Sequence, residues 1–81
     1  MGEERKIFPL RVECYAGYRS EETPRRFFIG GRRVETVQVI DRWLAPKHRY
    51  FKIRGDHGDV YLLRHYSETG GWELIMFERG G

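Results

Sequence analysis

The side chains best equipped for chemistry in this sequence are its arginines and aromatic rings, and both concentrate in the middle of the chain. Between residues 25 and 54, nine basic residues stand against only Glu35 and Asp41, a local net charge of +7 in a protein whose overall charge is +3. Twelve of the 15 cationic residues are arginine, whose planar fork matches carboxylate or phosphate. Within this stretch, "HRYFKIR" sets Tyr50, Lys52 and Arg54 at a spacing of two, preceded by His48. That spacing places all four on one face of an extended strand. Cations that neutralise phosphates, interleaved with rings that stack on bases, are what a single-stranded nucleic acid needs from a β-surface. The candidate contacts are therefore Arg25, Arg33, Arg42, Lys47, Tyr50, Lys52 and Arg54, with Arg26 and Arg32 in the same cationic stretch. The plainer alternative is an ordinary polar face on a strand that tyrosine favours. Convergence of these side chains on one surface decides between them.

Other combinations read as structure. "RGDHGD", residues 54–59, holds an Arg-Gly-Asp and an Asp-His-x-Asp cluster. It lacks the spacing of a calcium loop, and aspartate with glycine between strands is turn chemistry. "DRW", residues 41–43, is either a recognition patch or a strand end at which Trp43 closes one end of the core; the second is preferred. His48, His57 and His65 are scattered, and His65-Tyr66-Ser67 alternate across a strand instead of converging. The expectation is a binding protein, not an enzyme, without cofactor or metal. Cys14 is the only cysteine, so it forms no intrachain disulfide and reads as a small core residue.

The elements that must position these groups are strands. No segment keeps a helical apolar period for three turns, and glycine and proline interrupt at short intervals. In "IFPLRVECYAGY", Phe8, Leu10, Val12, Cys14 and Ala16 alternate with polar neighbours and are expected to face the core. A polar loop, "GYRSEETP", follows. "RRFFIGGRR" then reads as a hairpin whose Gly30-Gly31 loop needs positive φ. This register sets Ile29 opposite Arg32, Phe28 opposite Arg33, Phe27 opposite Val34 and Arg26 opposite Glu35. It predicts Phe27, Ile29 and Val34 on one face and an exposed Arg26–Glu35 ion pair. "RRVETVQVIDRW" changes phase: Val34 and Ile40 fall on one side, Val37, Val39 and Trp43 on the other. A bulge near Glu35–Thr36 accounts for the change, and Pro46 ends the strand. Three further strands follow in "HRYFKIR", "DVYLLRHY" and "WELIMFE". The last two carry large apolar residues on both faces, which points to central positions or to closure against a second layer.

At this length the chain makes one domain with one small core, residues 1–81, of which 1–6 are expected to be disordered. The fold class is all-β, a small antiparallel barrel or β-roll of about six strands. With no signal-peptide pattern and no membrane-length apolar run, a cytoplasmic address without membrane contact is expected.

The run "PRRFFIGGRRVETVQVIDRW", followed by "YFKIR", "VYLLRHY" and "WELIMF", resembles a family of small bacterial β-domain proteins of unknown function. The matching positions are Phe27, Gly31, Arg32, Val34, Val37, Val39, Ile40, Trp43, Gly58, Tyr61, Leu63, Trp72 and Leu74. The resemblance implies a β-domain and brings no activity with it. Relatives lying near genes for error-prone DNA-repair polymerases give it a slight lean towards nucleic-acid metabolism. Two partners stay open: single-stranded nucleic acid at the basic and aromatic surface, or a protein docked on a strand edge or on the Trp43 patch.

Overall fold

The structure, a computed structural model, describes residues 8–14 and 23–80. Six antiparallel strands run in chain order around a closed barrel: β1 (Phe8–Cys14), β2 (Pro24–Ile29), β3 (Arg32–Leu44), β4 (His48–Gly55), β5 (Val60–Tyr66) and β6 (Trp72–Glu78). β1 closes the ring by pairing with β6 from Phe8↔Leu74 to Leu10↔Trp72. Of the two architectures left open by the sequence, the barrel is the one formed. The expected disorder of residues 1–6, the inward Ala16 and most of the "GYRSEETP" loop lie outside the described residues.

The hairpin forms in the expected register, from Ile29↔Arg32 to Arg26↔Glu35. Gly30 and Gly31 take φ of 51° and 80°, the pair of positive values that matches a two-residue turn to the twist of its strands. Phe27 and Val34 are buried beneath it, joined in the core by Phe51, Ile53, Tyr61, Leu63, Trp72 and Leu74. Leu10, Val12, Cys14, Ile29 and Val39 pack on this cluster. Each fully buried apolar side chain of this size contributes roughly 1.5–3 kcal/mol. The barrel is narrow enough at Gly55 that an added Cβ would lie 2.6 Å from Val34 Cγ1 and 3.0 Å from Tyr61 Cε1. Glycine is required there by crowding.

The mixed phase of β3 is resolved by two bulges. Register shifts fall between Thr36 and Gln38 and again between Val39 and Asp41, opposite β4. Each shift leaves one residue unopposed, Val37 and then Ile40, and both are exposed. The first bulge thus lies a little beyond Glu35–Thr36. The second returns the strand to its original phase. This overturns the expected place of Trp43. A single bulge would have carried it inward to close the core, whereas two bulges turn it outward, where it is 42% exposed. β6 uses the same device. Leu62 opposes Met76 while Leu63 opposes Leu74, so Ile75 is the extra residue and Met76 turns outward. Its apolar residues on both faces therefore reflect a bulge, with no second layer required.

Candidate nucleic-acid interface

The register of β3 to β6 lays out the outer wall in rows. Gln38, Arg54, Val60 and Glu78 form one row; Asp41, Lys52, Leu62 and Met76 the next; Trp43, Tyr50, Arg64 and Glu73 the third; His48 and Tyr66 the last. Strand alternation brings Tyr50, Lys52 and Arg54 to this wall, as the spacing of β4 predicts, while Phe51 and Ile53 point into the core.

The rings on this wall meet one another. Trp43 and Tyr50 stack with centroids 5.5 Å apart and planes 11° from parallel. His48 lies 6.0 Å from Tyr50 and 4.8 Å from Tyr66. The Arg64 guanidinium sits 5.2 Å above the Tyr66 ring and donates to Glu73 Oε1 through Nη2 at 2.8 Å and Nε at 3.2 Å. That hydrogen bond to Glu73 is the largest cause holding Arg64 above the usual arginine pKa, so Arg64 is held charged beside its carboxylate partner. Four rings thus run across β3, β4 and β5 as a continuous aromatic band.

Three cations flank this band. Lys47 stands at one end, where its carbonyl accepts from Ser67 N at 3.2 Å and ties the β3–β4 loop to the β5–β6 loop. Lys52 and Arg54 continue along β4 at the other. Arg54 donates weakly to Gly58 O at 3.5 Å. None of Lys47, Lys52 and Arg54 makes an ion pair with a described residue.

The remaining candidates are placed elsewhere. Arg42 follows the second bulge into the inward phase at the end of the barrel, 5.8 Å from the Phe51 ring centroid. Arg33 lies on the outer wall of β1, β2 and β3, where its Nε is 3.3 Å from Glu35 Oε2. Arg25 is the residue left over where Glu13 opposes Arg26 and Cys14 opposes Pro24. Arg26 pairs with Glu35 at 2.9 Å as the hairpin predicts, and also with Glu13 at 2.7 Å. Its hydrogen bond holds the Glu13 carboxyl below its usual pKa. Tyr50, Lys52 and Arg54 share one wall, with Lys47 and His48 beside them, and Trp43, Arg64 and Tyr66, which the spacing did not assign to it, lie on the same surface. The outward spacing of Arg64 and Tyr66 on "DVYLLRHY" was a usable signal; that of Trp43 was hidden by the bulges.

The "DHGD" turn uses both carboxylates structurally. Asp56 Oδ1 accepts from Glu35 N at 3.2 Å, and Asp59 Oδ1 accepts from Gly80 N at 3.0 Å. His65 is buried 4.3 Å from the Trp72 ring, while Tyr66 faces out, so these neighbours do not converge. Among the described residues no helix is long and apolar enough to cross a membrane. No family model, curated protein or solved structure matches the chain.

Proposed function

We propose that this protein is a small binding module for single-stranded nucleic acid, using the outer wall of β3, β4 and β5. The observation that carries the reading is the near-parallel Trp43–Tyr50 stack, extended through His48 to Tyr66 and flanked by Lys47, Lys52 and Arg54, which make no ion pair with a described residue. Trp43 is exposed and Tyr50, His48 and Tyr66 are half-buried; rings at such a surface give bases flat partners, and cations at both ends of the band can follow the phosphates. Arg25, Arg33 and Arg42 stand outside this surface and are not part of the proposed contact.

Fluorescence anisotropy of a labelled single strand tests the reading. Binding at low salt that weakens steeply as salt rises is expected, and Trp43→Ala should cost about ten-fold in affinity or more. Absence of binding at low salt with the wild-type protein rejects it.

A protein partner is the second reading. From Val37 to Leu44, β3 has β4 on one side and no described strand on the other, and it exposes Val37, Ile40 and Leu44. Such an edge can accept an added strand. Co-purifying proteins that stay bound at high salt, with no affinity for single strands, would favour it.

A further inference from the structure

Beside the aromatic band the same wall holds a depression of about 180 Å³, lined by Trp43, Lys52, Val60, Leu62, Met76 and Glu78. Its floor is apolar and Trp43 borders it, so the groove is continuous with the Trp43–Tyr50 stack. It is smaller than the roughly 300–1,000 Å³ of sites that enclose drug-sized ligands, which suits one flat ring system. The two charged residues belong to different strands, Lys52 on β4 and Glu78 on β6. Neither the Lys52 ammonium nor the Glu78 carboxylate forms an ion pair or side-chain hydrogen bond with a described residue.

We infer that this groove takes one base of the bound strand and selects guanine. The inference rests on the nucleic-acid reading above and adds base specificity to it. An ionised carboxylate offers only acceptors, two of them side by side. On their pairing edges, guanine alone among the bases presents two adjacent donors, N1–H and the N2 amino group. Adenine and cytosine set an amino donor beside a ring-nitrogen lone pair, and thymine flanks its single N–H with two carbonyl oxygens. Each of these places an acceptor against the Glu78 carboxylate. Leu62, Met76 and Val60 supply apolar contact for the ring, and Lys52 supplies a cation for the phosphate of the same nucleotide. The charges of the groove thus match both ends of a guanine nucleotide.

The test uses labelled oligo-dT strands carrying one central guanine, cytosine, adenine or hypoxanthine, with pure oligo-dT as reference. The guanine strand is expected to bind about ten-fold more tightly than oligo-dT, the size of one good two-point base contact. Hypoxanthine, which lacks the N2 amino group, should lose most of that gain. Glu78→Gln replaces one acceptor by a donor, a pattern that fits cytosine or adenine, so it should abolish the guanine preference and shift it to those bases. Equal wild-type affinity for all strands overturns the inference, and so does a guanine preference that survives Glu78→Gln. In either case oligo-dT binding that depends on Trp43 leaves the parent reading standing. Failure of every strand to bind rejects both.

Discussion

Two walls of the same small barrel spend similar side chains in opposite ways. On the wall of β1, β2 and β3, Arg11, Arg26 and Arg33 interleave with Glu13 and Glu35, and four contacts of 2.7–3.7 Å link them into one network. On the wall of β3, β4 and β5, the rings of Trp43, Tyr50, His48 and Tyr66 occupy the equivalent outward positions, and the carboxylate pair seen among the described residues there is Arg64–Glu73. The difference is set by register. Glu35 falls opposite Arg26, and Glu13 opposite Arg26 from the other side, so the arginines of the hairpin are engaged before any ligand arrives. Lys52 has Leu62 on one side and Asp41 on the other, and that carboxylate accepts instead from Arg42 N at 2.8 Å. Arginine density by itself therefore says little about binding; what lies directly across the strand says more.

The largest effect expected from this contrast is on affinity. Trp43→Ala with Tyr50→Ala removes two stacking partners, each worth about 1–3 kcal/mol, and should lower single-strand affinity by about thirty-fold or more. Arg33→Gln, on the ion-paired wall, should leave affinity unchanged. Equal losses at both sites would erase the distinction between the walls.

Gly55→Ala comes next, because it strikes the core that both walls share. The new Cβ meets Val34 and Tyr61, and overpacking of this kind costs about 1–3 kcal/mol, read as a lower denaturation midpoint with urea or heat. An unchanged midpoint would show that the barrel yields easily at this point.

A smaller effect is expected in the salt dependence. Lys52→Gln and Arg54→Gln should each flatten the slope of log affinity against log salt by about 0.7, the share of one phosphate contact on a single strand. Arg26→Gln should not change the slope.

The smallest effect concerns acid. Hydrogen bonding to Arg26 holds the Glu13 carboxyl below its usual 4.5, so the unfolded chain takes up this proton first as pH falls. The stabilisation is present at neutral pH and is lost as pH drops below 4.5 through the folded-state value. Carbon-detected titration of Glu13 should show the lowered midpoint, and Arg26→Gln should return it towards 4.5. A midpoint indifferent to Arg26 would mean that the ion-paired wall is a surface arrangement without thermodynamic content.

Much of the frame is legible in the sequence because strand alternation and turn chemistry are local. Phe51 and Ile53 against Tyr50, Lys52 and Arg54 follow from spacing alone, and Gly30-Gly31 specifies the hairpin register without reference to the rest of the chain. The site was harder to read because its membership depends on bulges, which are decided by pairing with a distant strand. Trp43 keeps its outward phase and meets Tyr50 because the second register shift of β3 against β4 undoes the phase change made by the first. The second carboxylate on Arg26 escaped notice for a similar reason, since Glu13 reaches it through the β1–β2 pairing.

The bulges of β3 also locate where this protein can lose a residue. Deleting one residue inside a strand ordinarily turns everything beyond it inside out. Ile40, however, stands unopposed between Val39↔Ile53 and Asp41↔Lys52. Its loss would join those two pairs into regular alternation, leaving Arg42 at the barrel end and Trp43 on the outer wall. Val37 stands the same way between Thr36↔Gly55 and Gln38↔Arg54. Loss of Arg42 itself, only two positions from Ile40, would draw Trp43 into the inward phase and dismantle the aromatic band. Tolerance to deletion in this strand therefore changes sharply from one codon to the next, with the spare residues marking where the chain's length is negotiable and its facing is not.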